Sequence, residues 1–449
     1  MFKDSHGLPL TTHNPEASAA LDRAITAYLK YRTDAGRHLG AALKADPSFA
    51  MAHVVKGYFG LLAYKQAMVG MVNEALADAR AHSASATARE KAHVEALAAW
   101  VEGDIERALV VWEGIIAAHP HDVLAFRLHH FNAFWLGQVE RMQAAVELVY
   151  PQWSRELPGW ATVLSCRAFA HEEAGNYTLA ESSGRAAIEI DPGDLWGAHA
   201  IAHVLEMQGR RGEGIDWLKR LEPHWAGANN LMHHLLWHRA MFHIERREFD
   251  EVLTLYDKGF RDLASPLTVA QPDMYIDVQN AASMLFRLER HGVDVGERWT
   301  ELADKAEERI GDCLSAFTLP HWMMALSATG RVEAARRMIE AMDAFGRGNG
   351  TVQGLVGRIA LPVCESVLAH RQGSHREVLE RMRPIIGQMY LLGGSHAQQD
   401  VLEQLFLDSA LKAGSTEDVR LMLERVTGRH PVPPARRIGY ATAAARYAH

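Results

Sequence analysis

The chain has 449 residues, 48% hydrophobic and 23% charged, with a formal net charge of −8; this composition is ordinary for a soluble globular protein and argues against disorder. The acidic balance excludes nucleic acid as the principal partner, since phosphate neutralisation needs a clustered basic surface, and gives no basis for docking on an acidic membrane. Cys166, Cys313 and Cys364 lie far apart without a CxxC pair, which argues against a disulfide framework and fits reduced thiols in a cytoplasmic protein.

The first fourteen residues, MFKDSHGLPLTTHN, lack the apolar stretch and cleavage signature of a secretory signal. No stretch approaches the ~18–20 uninterrupted apolar residues of a membrane helix, so no membrane partner is expected. Asp46-Pro47 and Gly60 predict less regular helical hairpins over residues 14–60, capping the N-terminal end.

From there a repeat emerges. Ala96, Gly103, Ala108, Trp112, Ile115 and Pro120 occupy the small, turn, packing and closing positions of a tetratricopeptide (TPR) unit of ~34 residues. Ala168, Gly175, Tyr177, Ala180, Gly184, Ala187 and Pro192 fill the same places in a second unit. Small side chains let antiparallel helices approach closely, Gly at the turn can end the first helix in the left-handed conformation, and Pro punctuates the boundary.

The turn landmarks continue at Gly137, Gly209, Arg247, Gly292, Gly330, Gly373 and Gly414, each between two stretches of helical apolar periodicity. No sustained alternation with β-branched residues occurs, so essentially no sheet is expected. Longer intervals at Leu263–Asp273 and Phe345–Gly357 predict extra turns or loops of the kind that decorate one face of a solenoid. Residues 429–449, with Pro431, Pro433 and Pro434, predict an extended tail and a short closing cap. The expected fold is all-α: one continuous right-handed superhelical solenoid over 1–449, of about ten TPR-like hairpins.

In this repeat type the first helix of each hairpin lines the concave surface. His199, His203 and Glu206 fall at i, i+4 and i+7 on one such helix, and His234, Trp237, His238 and Glu245 fall on the next. Stacked helices lie ~8–10 Å apart, so two His stripes can share a pocket. Three readings follow: packing residues, a pocket for an organic ligand or peptide, or a metal or acid–base centre, for which His pairs with a carboxylate suit zinc-type ligation. The HExxH pattern is absent.

Asp277 and Asn280 share a helix face after the Pro-rich insertion and are further ligand candidates. His129, His130, Asn132 and Trp135, and the run Gly393-Gly394-Ser395 before His396, Gln398, Gln399 and Asp400, are weaker ones; the glycines and Ser395 predict a loop and N-cap. There is no phosphate-binding Gly-rich loop and no nucleophile elbow, and Cys166 carries no catalytic signature.

The segment HAIAHVLEMQGR from His199 to Arg210 resembles the characteristic stretch of the tetratricopeptide-repeat protein 38 family. HLLWH from His234, NAAS from Asn280 and GGSHAQQD from Gly393 are similar to that family's pattern in the same order. The resemblance runs from about Asn14 to the end and implies a superhelical TPR-like fold and cytoplasmic location, with no established reaction.

The expected function is a helical-repeat binding protein with a His-rich concave pocket for a small molecule or peptide, formed by His199, His203, Glu206, His234, Trp237, His238, Asp277 and Asn280. The alternatives are an enzyme of hydrolase or lyase type using the same groups, and a scaffold for other proteins. No cofactor and no metal are assigned, and homo-oligomerisation is left open.

Overall fold

A computed structural model describes residues 2–447; the last two residues of the expected span 429–449, and the first of the span 1–449, lie outside the described residues. The protein is all-α. Its sheet among the described residues is a two-residue antiparallel pair, Phe2–Lys3 with Pro9–Leu10.

The chain divides into two compact units, the first running to Ile201 with Pro223–Asn229 and Gly350–Val352, the second comprising Ala202–Glu222, Asn230–Asn349 and the chain from Gln353 onward. The first unit stacks Pro15–Leu29 on Ala35–Ala45, Ala50–Leu61 on Val69–His82, and Ala88–Val101 on Ile105–Ala118. Val123–Trp135 pairs with Val139–Val149, and Trp160–Glu173 with Tyr177–Ile190. Local chemistry fixes where these helices start. Asn14 accepts from the Glu16 and Ala17 amides ahead of Pro15, and Thr87 and Glu90 form a reciprocal capping box.

Small residues sit where helices cross. A Cβ built on Gly184 would lie 2.7 Å from Ile201 Cδ1, and one on Gly57 2.6 Å from Leu97 Cδ2. Gly60 is not a turn residue: it lies inside the helix Ala50–Leu61 against Val72 and Met71, and Tyr64, at φ 48°, makes the left-handed turn.

In the second unit Leu231–Glu245 pairs with Phe249–Leu255, Tyr275–Arg290 with Arg298–Glu308, and Leu319–Ala328 with Val332–Gly346. Leu361–Arg371 then pairs with His375–Met382, and His396–Ala413 with Thr416–Arg429. The turn landmarks Gly103, Gly137, Gly175, Gly209, Gly292, Gly330, Gly373 and Gly414 all have φ between 66° and 80°, and Arg247 takes φ 61° without being glycine. Left-handed geometry lets the chain reverse within a few residues while satisfying the last carbonyls of the preceding helix.

The two longer intervals are ordered. Leu263–Asp273 contains the short helix Pro266–Ala270, and the Gly-rich stretch lets backbones touch, since a Cβ on Gly346 would meet Gly357 Cα at 2.6 Å. After Arg429 a short 3₁₀ turn, Pro434–Arg436, leads into the helix Ala441–Tyr447. One helical run, Thr351–Arg371, is long and apolar enough to cross a membrane by composition, with mean hydropathy 1.3; it carries Arg358 and Glu365, and 56% of its most apolar window is packed inside the protein.

Candidate functional site

The helix Leu231–Glu245 carries four histidines and one tryptophan along its length: His233, His234, Trp237, His238 and His243. All are buried, so most of its circumference is covered and a single apolar stripe is not what holds it. Its imidazoles have to be satisfied by neighbouring side chains instead.

His234 and His238, one turn apart, meet ring to ring with centroids 4.7 Å apart and planes at 76°, and His203 reaches His238 at 4.5 Å and 68°. Trp237 stacks on His234 at 5.1 Å with the rings nearly parallel. His203 and His238 are fully buried, and His234 and Trp237 nearly so.

Two of these rings are anchored. His234 Nδ1 donates to Asn280 Oδ1 at 2.7 Å, and His238 Nδ1 donates to Glu206 Oε2 at 3.2 Å. Burial pushes His203 and His234 well below the ordinary imidazole range and His238 down to about 3, with His238 repelling protons from both other rings. The cluster is therefore neutral at pH 7, and the contact with Glu206 is a hydrogen bond from a neutral imidazole, not an ion pair. Burial also pushes the Glu206 carboxyl up to about 7, with Arg287 opposing the rise.

Next to Glu206 lies a charged chamber that sequence periodicity did not reveal. Arg287 packs over the Trp237 ring at 5.8 Å and lies 3.5 Å from Asp400 Oδ2. Arg437 and the Tyr440 hydroxyl each donate to Asp400 Oδ1 at 2.6 Å, and Gln404 donates to Oδ2 at 2.6 Å. Burial alone would raise the Asp400 carboxyl, but Arg437 and Arg287, with these hydrogen bonds, hold it at about 2. The cavity bordered by Glu206, Glu245, Arg287, Asp400 and Arg437 measures about 30 Å³, room for about two water molecules.

Within the first unit, His199 stacks on Phe169 at 5.2 Å and meets Trp196 at 4.8 Å. Asp277 holds Asn230 Nδ2 at 2.6 Å and His233 Nδ1 at 3.1 Å rather than His234 or His238. His129 pairs with Glu113 at 3.0 Å, and His130 packs among Phe126, Phe169 and Trp196. Ser395 caps its helix in a capping box with Gln398, as a Gly-Gly-Ser loop predicts. Burial pushes the Cys166 thiol up to about 12, so it is no nucleophile at neutral pH.

Sequence reasoning missed Arg287, Arg437 and Tyr440. Each is isolated in its own segment, and only the approach of the helix Tyr275–Arg290, the helix His396–Ala413 and the C-terminal segment brings them to Asp400. No protein-family model matches the chain.

Proposed function

We propose that this chain is a helical-repeat binding protein whose second unit holds a small polar ligand at His203, Glu206, His234, Trp237, His238 and Asn280. The observation that carries this reading is the gathering of three neutral, buried imidazoles beside two buried donors with no partner among the described residues, Trp237 Nε1 and Asn280 Nδ2. Buried polar groups without partners are rare, and each costs on the order of 1–3 kcal/mol. A bound polar molecule would satisfy them.

The burial of the cluster favours a small enclosed ligand over a peptide, which needs an open groove. Within the same proposal, the helical pairs and left-handed turns support a right-handed TPR-like solenoid of about ten hairpins. The segment from His199 to Arg210 supports similarity to the tetratricopeptide-repeat protein 38 family, and the unpaired cysteines support cytoplasmic residence.

The test is native mass spectrometry of the purified protein followed by denaturing release of small compounds. Wild type should carry a non-protein mass that His238→Ala loses while keeping its helical circular dichroism. A protein-only mass for wild type, with His238→Ala merely less stable, would turn the cluster into packing residues and give the lead to the scaffold reading.

A further inference from the structure

The chemistry of the histidine cluster narrows the ligand. One ring nitrogen from each of His203, His234 and His238 lies within 4.8 Å of the corresponding nitrogen of the others. In a tetrahedral site with metal–nitrogen bonds of about 2.05 Å, ligand nitrogens lie roughly 3.3 Å apart. Closing to that spacing needs ring shifts of about 1 Å.

The outer groups are also in place. Asn280 Oδ1 and Glu206 Oε2 each accept from an Nδ1, which fixes the neutral tautomer with its lone pair on Nε2. Carboxylate or carbonyl acceptors hold metal-ligating histidines in this way. The rings come from separate segments, His203 from the helix Leu195–Met207 and the other two from one turn of the helix Leu231–Glu245. Three ligands from two helices leave a tetrahedral ion one further position.

We propose that His203, His234 and His238 form a centre for one divalent transition-metal ion of the zinc class, with Glu206 and Asn280 orienting two of the three rings. The inference rests on the reading of this cluster as a ligand site and takes up the metal-centre reading that the sequence left among its alternatives. An all-nitrogen donor set selects against calcium and magnesium, which need oxygen ligands. Imidazole suits zinc, cobalt, nickel and copper, and three protein ligands with one open position is the arrangement in which zinc binds water or a polar ligand.

The experiment is titration of the chelator-treated, full-length protein with cobalt(II), read by visible absorption. Wild type should take up one equivalent and show the intense d–d bands of low-coordinate cobalt, which excess zinc(II) bleaches. His203→Ala and His234→Ala should abolish these bands. Asn280→Ala keeps all three ligands and should weaken uptake about 10–100-fold; it covers the case in which a histidine variant does not fold. Wild type without the bands, or variants that retain wild-type uptake, would overturn the proposal. Wild type that takes up no ion yet releases an organic compound absent from His238→Ala would overturn the metal centre and leave the ligand reading standing. Absence of both would overturn both.

Discussion

Asp122 and Asp194 are both buried carboxylates of the first unit, yet their surroundings drive them in opposite directions. Burial would raise the Asp122 pKa, but His93, at 3.0 Å, and Arg89, at 2.7 Å, hold it far below the usual carboxylate range. A depressed folded-state pKa gives stability that is complete above the unfolded value near 4 and lost as pH falls through the folded one. Asp122→Asn should therefore cost about 3–5 kcal/mol at pH 7, because it leaves Arg89 buried without its charge partner, and the deficit should shrink as the pH is lowered below 4. Denaturant melts of both proteins at several pH values measure it. Asp194 is pushed by burial up to about 6, against hydrogen bonds from the Gly197 amide and Ser165. A raised pKa reverses the sign: the contribution is complete below about pH 4 and lost as pH rises through about 6, on the order of 2–3 kcal/mol. Asp194→Asn keeps an N-cap acceptor and should melt no lower than wild type at pH 7 and lower than wild type at pH 4.

At the scale of helices, close crossings and tight turns define the architecture. In the second unit Gly214 lies in the helix Arg211–Leu221 against Phe242 of the helix Leu231–Glu245, and a Cβ there would sit 2.3 Å from the ring. Gly214→Ala should destabilise by about 1–3 kcal/mol through overpacking, despite the better helix propensity of alanine. Arg247 makes the opposite case. It holds φ 61° at a turn where its counterparts in neighbouring hairpins are glycines, a conformation costing roughly 1 kcal/mol for a residue with a Cβ. Arg247→Gly should raise the melting temperature, and an unchanged or lower one would mean that the arginine side chain offsets its own strain.

These turns were legible in the sequence because a left-handed reversal every hairpin demands glycine at nearly fixed spacing, a local requirement. Gly60 falls within a hairpin as expected but serves helix crossing rather than the turn, two uses of a small residue that the sequence alone does not separate. The site was legible to the same degree. His234 and His238 are one turn apart, and helical periodicity alone puts them on one face with Trp237 beside them. Asp277 was drawn away because His233, the residue before His234 on the helix Leu231–Glu245, lies within its reach. The Arg287–Asp400–Arg437–Tyr440 chamber depends on which helices meet, and no periodic signal carries that.

For the molecule as a whole, a ligand that binds the folded second unit stabilises it by mass action, by about 2.7 kcal/mol at a concentration of one hundred times Kd. Thermal unfolding of chelator-treated wild type should therefore shift upward on adding zinc(II), while the His203→Ala and His238→Ala double variant should not shift. If His203, His234 and His238 surround something other than protein, a crystal structure of the protein as purified, with anomalous data collected at a transition-metal edge, will show it. Non-protein density should lie within bonding distance of the three imidazoles, next to Trp237 and Asn280. Three rings packed only against protein atoms, with no such density before or after soaking with zinc(II), would contradict it.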